Sequence, residues 1–155
     1  MKKFLFDCGT RDATASLGLL VLRVGIGLLM LLGHGLGKIQ SFADKKDGFW
    51  VPDFFPLHYM SPAVSLMATI FAEVGCSVLL ICGLLTRPAA FILAFTMTVA
   101  AFNVHASGPW FMSGGGGSKE PALLYLIPAI AILLSGAGSY SADAVIHTGG
   151  RRRKF

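Results

Sequence analysis

Seven ionisable or amide side chains interrupt or end the apolar runs of this chain: Arg23, His34, Lys38, Glu73, Asn103, His105 and Glu120. Their types suit proton exchange and hydrogen bonding in a medium of low dielectric. Glu73 and Glu120 are the candidate acid–base (catalytic) groups; Arg23, His34, Lys38, Asn103 and His105 are the candidate ligand-binding groups. Arg23 stands inside the run from Leu17 to Lys38. An arginine in a membrane span costs about 2.5–3.5 kcal/mol on insertion scales, so it must face protein or water and find a partner. Measured from loop-side ends at Leu36 and Pro62, Arg23 lies about 20 Å deep and Glu73 about 17 Å deep at the helical rise. The economical expectation is a buried Arg23–Glu73 pair, serving as a clamp between two helices or as a proton-linked pair beside a redox ligand.

The remaining groups gather at the ends of apolar runs. His34 and Lys38 finish the first run, Asn103 and His105 finish the third, and Glu120 opens the fourth, with His58 in a loop on the same side. Surface decoration is one reading. Three site chemistries are the others: hydrogen bonds from His34 and Lys38 to quinone carbonyls with Glu120 exchanging a proton, a divalent metal on His34, His105 and Glu120, or a small oxyanion such as thiosulfate at Lys38 and His34. The metal reading lacks any local ligand spacing, so no metal is assigned. No Ser/His/Asp arrangement is present, and the four glycines Gly114 to Gly117 lack the Gly-Lys-Ser/Thr that a phosphate loop requires.

The elements that must position these groups follow from composition. The chain has 155 residues, 54% of them hydrophobic and 14% charged, with mean hydropathy +0.69, too apolar for an ordinary soluble domain. Apolar runs near the length of a spanning helix predict spans at about 15–37, 62–85, 88–106 and 120–137, loops at 38–61 and 107–119, and a basic tail at 144–155. The fold class is all-α, a single integral membrane domain built as an antiparallel four-helix bundle. From Arg23, the helical offsets i+4, i+7 and i+11 give Gly27, Met30 and His34 as one stripe. Gly33 and Gly37 form a small-xxx-small pair expected to admit a neighbouring helix. The loop 38–61 mixes Lys45, Lys46, Asp44 and Asp47 with Phe49, Trp50, Phe54, Phe55 and Tyr59; it reads as an interfacial belt or as a lid over a lipid-soluble ligand. Pro128 is expected to bend the fourth helix.

Lys and Arg outside the spans divide eight against four in favour of the side holding both termini, which predicts cytoplasmic termini. Much of the net charge of +5 sits in Arg151, Arg152, Arg153 and Lys154; it reads as a topology signal against anionic lipid, and no nucleic-acid motif accompanies it. Cys8, Cys76 and Cys82 are odd in number and lack a CxxC pair, so no disulfide framework is expected. No cleavable signal is expected at the N-terminus.

An ordered set of residues resembles the DoxX family of small bacterial four-helix membrane proteins. It comprises Arg23-Val-Gly25, His34-Gly-Leu-Gly-Lys38, Glu73 with Gly75, Gly83-Leu-Leu-Thr86-Arg87, His105, Lys119-Glu120 and Gly136-Ala-Gly138-Ser-Tyr140-Ser-Ala-Asp143. The resemblance runs from about residue 16 to 143. Ala137 and Ser139 depart from it, standing where family members often carry proline and arginine. It implies a bacterial inner-membrane subunit in redox metabolism, since relatives are associated with thiosulfate:quinone oxidoreduction and with detoxification of reactive oxygen and sulfur species. A quinone is the implied cofactor. A redox or sulfur-metabolism subunit is the implied partner besides the lipid bilayer, and homo-oligomerisation stays open. The sequence carries no haem motif or iron–sulfur ligand set. The alternative is a non-catalytic membrane adaptor or assembly factor for partner subunits; a small transporter ranks last.

Overall fold

The computed structural model describes residues 9–10, 12–112 and 117–152. The expectations that concern residues 1–8, the glycines Gly114 to Gly116, and Arg153 and Lys154 of the basic tail lie outside the described residues. All regular structure among the described residues is helical. Helix α1 spans Ala13–Gln40, opened by Asp12, whose carboxylate accepts from the Ala15 amide at 2.7 Å. The short α2, Phe42–Lys45, follows. Helix α3, Pro62–Cys82, starts with Ser61 accepting from the Val64 amide and with Pro62 in the first turn, where a missing N–H is harmless. Gly83, at φ 67°, ends α3; this left-handed conformation favours glycine. Helices α4, Thr86–Val104, α5, Glu120–Ser135, and α6, Ala142–Arg152, complete the order.

By length and composition α1, α3 and α4 can each cross a membrane, whereas α5, at 16 residues, is apolar but shorter. Large side chains such as Val21, Leu29, Leu32, Phe71, Ile127 and Leu134 face outward, as helices immersed in lipid allow and a water-soluble surface does not.

The four long helices pack in a ring, α1 against α3 and α5, α4 against α3 and α5. Their shared core contains Met30, Leu80, Leu93 and Ile132 and the fully buried alanines Ala90, Ala101 and Ala129, small enough for backbones to approach closely. Where α1 meets α3, the close approach is made by Gly27 and Gly35. A Cβ on Gly27 would come within 3.0 Å of the Ser77 carbonyl oxygen, and one on Gly35 within 2.6 Å of Val74 Cγ2 and 3.2 Å of the Glu73 carbonyl oxygen. Gly33 and Gly37, the pair expected to admit a neighbouring helix, face open space.

The reason is a local change of helical phase. A π-helical turn, Leu31–Gly35, interrupts α1; a second, Phe71–Gly75, interrupts α3; a third, Ala100–Val104, ends α4. One extra residue rotates everything beyond it by about 100° relative to an unbroken α-helix. Arg23, Gly27 and Met30 therefore lie on one buried stripe as expected, but the stripe continues through Gly35, and His34 turns to an exposed position.

Candidate functional site

The expected Arg23–Glu73 pair does not form. Contacts between Gly27 and Ser77 and between Gly35 and Glu73 fix the register of α1 on α3, so Glu73 lies level with residue 35 and Arg23 lies roughly two helical turns or more beyond it along the axis. The depth argument fails because Leu36 and Pro62 are not level: α1 continues to Gln40 and the chain runs on through α2 before α3 begins.

Arg23, 1% exposed, instead caps the C-terminal end of α3. Its Nη1 donates to the Leu80 and Ile81 carbonyls at 2.9 Å each, and its Nη2 donates to the Tyr140 carbonyl. One turn away, the Asp143 carboxylate accepts from the Leu85 and Thr86 amides, 2.9 Å each, at the start of α4. A cation thus meets the negative end of one helix and an anion the positive end of the next. The Asp143 amide donates to the Gly83 carbonyl at 2.9 Å, and the Ser139 amide donates to Ser16 Oγ at 3.1 Å. This end of the ring, which holds the start of α1 and the segment after α5, ties its buried polar side chains to backbone groups.

The opposite end is open. A cavity of about 320 Å³ lies among α1, α3, α4 and α5. Lys38 from α1 and Glu73 from α3 meet on its wall: Lys38 Nζ donates to Glu73 Oε1 at 2.8 Å and to Oε2 at 2.6 Å. The Lys38 side chain is 22% exposed and that of Glu73 is 7% exposed. His34, His105 and Tyr125 also line the cavity, and the His34 and Tyr125 rings meet edge to face at 5.5 Å. Met30, Met97 and Ala122 make the remaining wall largely apolar.

The loop 41–61 divides in two. Phe49, Trp50 and Pro52 line the cavity, held there by Ser65 Oγ donating to the Trp50 carbonyl at 2.7 Å. Phe55, His58 and Tyr59 instead form an exposed aromatic cluster, with the His58 and Tyr59 rings 3.8 Å apart. The first half covers a cavity and the second half has the character of an interfacial belt.

Of the site residues read from sequence, His34, Lys38, Glu73 and His105 converge on the cavity, while Arg23, Asn103 and Glu120 are not among its lining residues. Glu120 Oε2 accepts from the Met112 amide at 2.7 Å and so closes the loop ahead of α5. Its neighbour Lys119, 7% exposed, clamps the same loop, donating to the Ala106 and Gly108 carbonyls at 2.8 Å each and lying 5.2 Å from the Trp110 ring. Among the described residues no three His, Cys, Asp or Glu side chains come together, so His34, His105 and Glu120 are not assembled as a ligand set. Sequence reasoning missed Tyr125, whose signal is a phenol inside an apolar helix, and Ser118, which resembles any loop serine.

Comparison with known proteins gives this geometry a family. The family model for DoxX matches residues 18–106. The chain belongs to the DoxX family. The matched segment of this DoxX chain takes in α3, α4 and nearly all of α1, and hence Lys38, Glu73, His34 and His105. Two proteins of Haemophilus influenzae are similar over most of their length, and both are described only as uncharacterized proteins. One is 34% identical over 125 residues, 79% of this chain and 85% of the relative. The other is 29% identical over 143 residues, 90% of each. No solved structure matches the chain.

Proposed function

We propose that this DoxX-family chain is an antiparallel four-helix bundle of a bacterial inner membrane, with both termini cytoplasmic, and that it is the quinone-binding subunit of a redox system linked to thiosulfate, other reduced sulfur or oxidative stress. The observation that carries the reading is the Lys38–Glu73 pair on the wall of a largely apolar cavity. Such a pair is weak evidence for a stabilising role, because apolar side chains of similar volume hold helices together as well. Its position beside a cavity is better explained by chemistry.

The residues fit a flat ring that carries carbonyls. Lys38 directs two contacts at Glu73 and retains a third N–H direction for a ligand oxygen. Tyr125 and Trp50 supply aromatic surface, and the volume falls at the lower end of the roughly 300–1,000 Å³ of small-molecule sites. A bound quinone supplies a two-electron, two-proton acceptor. Lys38 holds its oxygen, Glu73 relays protons to that point, and Phe49, Trp50 and Pro52 limit water entry. Electrons come from a partner subunit or a sulfur donor. Free oxyanion binding fits less well, because Glu73 already neutralises Lys38.

The test uses the full chain in mild detergent, with Trp110→Phe leaving Trp50 as the reporter. A short-chain quinone should quench Trp50 saturably. The double variant Lys38→Met, Glu73→Gln removes the charges together and should weaken binding about tenfold or more while remaining folded. Absence of saturable quenching in the parent would overturn the reading and favour the non-catalytic adaptor.

A further inference from the structure

The Lys38–Glu73 pair accounts for one side of the cavity. Because α1 packs on α3 and α4 packs on α5 in the ring, the wall that faces this pair belongs to α4, α5 and the segment joining them. That wall contains Ser118, just ahead of α5. Ser118 is 3% exposed, and its Oγ is out of reach of solvent with no hydrogen-bond partner among the described residues. Burying a hydroxyl without a partner is unfavourable, and native proteins seldom do so without a reason. The backbone around it is fixed independently. Lys119, the next residue, is clamped to Ala106 and Gly108 through its side chain and to the Pro109 carbonyl through its amide. His105 packs against Gly117, so that a Cβ there would lie 2.8 Å from His105 Nδ1. Ser118 is therefore held at the cavity by neighbours that take no hydrogen bond from its hydroxyl.

Resting on the quinone reading above, we infer that Ser118 is a second polar pole of the cavity: rotation about its Cα–Cβ bond brings the hydroxyl, unpartnered where it stands, to the cavity that the residue lines, where it donates a hydrogen bond to the far carbonyl of a 1,4-dicarbonyl ring. The near carbonyl takes the charge-assisted bond from Lys38, the stronger of the two. Between the poles, Met30, Met97 and Tyr125 contact the ring faces and edges. The two poles make the site specific for a para-quinone over a ring with one carbonyl. A mono-ketone satisfies Lys38 and leaves the Ser118 hydroxyl without a partner.

The experiment compares 1,4-naphthoquinone with 1-tetralone, a fused-ring mono-ketone, the latter measured by displacement of the former from the full chain in detergent. In the parent, naphthoquinone should bind about three- to tenfold more tightly than tetralone, the range expected of one neutral hydrogen bond. Ser118→Ala should remove that advantage by weakening naphthoquinone alone, with the unfolding temperature unchanged or raised, because the hydroxyl has no partner to lose. Retention of the naphthoquinone advantage in Ser118→Ala would overturn this inference and leave the quinone site at Lys38 standing. A marked fall in unfolding temperature would also overturn it, by giving the hydroxyl a structural role. No saturable naphthoquinone binding to the parent would overturn both.

Discussion

The two ends of the helix ring bury similar groups to different ends. At the terminal end, Arg23 and Asp143 are each 1% exposed, and both are spent on the backbone: one on the final carbonyls of α3 and the Tyr140 carbonyl, the other on the first amides of α4. At the loop end, Lys38 and Glu73 spend their charge on each other and face a cavity. Burial alone would rank Arg23 as the more suggestive residue. A place on the wall of a cavity ranks Lys38, Glu73 and Ser118 above it, and that is the better guide to a ligand.

The largest expected effect breaks the terminal end. Asp143→Ala strands the Leu85 and Thr86 amides and removes the anion that acts electrostatically on Arg23. The stability of the chain in detergent should fall by about 3–5 kcal/mol, the usual cost of leaving a buried charge or cap uncompensated, with a matching drop in unfolding midpoint. Quinone affinity of the protein that stays folded should not change. A variant of normal stability with altered quinone affinity would show that the two ends are not separate.

Much of the architecture is legible in the sequence because long apolar runs have few solutions. A stretch of some 20 apolar residues must satisfy its backbone internally, and a helix does so. Ser61-Pro62 and Gly83 mark where α3 starts and stops through local chemistry that any reader of sequence can apply. The π-turns are a different matter. Neither Leu31–Gly35 nor Phe71–Gly75 carries a composition that announces one extra residue per turn, yet that residue decides that Gly35 and not His34 stays on the buried stripe. Relative depth was equally hidden. The level of Glu73 is set by the fit of Gly35 against α3, a packing property, and a count from assumed helix ends pairs the glutamate with Arg23, whereas its partner is Lys38. Ser118 was invisible for a third reason: an unpartnered hydroxyl is defined by what surrounds it.

A smaller effect sharpens the loop end. Glu73→Gln leaves Lys38 without its counter-charge, but Lys38 is partly exposed and can turn toward the polar boundary. The single variant should lose about 2 kcal/mol of stability in detergent, less than Asp143→Ala. The double variant Lys38→Met, Glu73→Gln should recover most of that loss without recovering quinone binding. Recovery of both would mean that the pair only holds α1 to α3. Recovery of neither would mean that the carboxylate has a structural duty beyond the lysine.

The smallest effect is the difference between two glycines two residues apart, and it tests the register of α1 on α3. Gly35 sits where a methyl group would strike Val74 Cγ2 and crowd the Glu73 carbonyl. Gly35→Ala must therefore lift α1 from α3 next to the ion pair, at about 1–3 kcal/mol, the range for overpacking a tight contact. Gly33 lies on the same turn with nothing within 4 Å of an added Cβ. Gly33→Ala meets no obstacle and replaces a poor helix former by the best one, so it should be neutral or stabilising by up to about 1 kcal/mol. Unfolding midpoints for the two variants should thus move in opposite directions or differ clearly in size. An unbroken α-helix through this turn would put His34 on the stripe of Met30 and turn Gly35 away from α3, and the penalty at Gly35 would vanish. The pair of alanines consequently reads the π-turn itself, and with it the rotation that places His34 at the cavity edge.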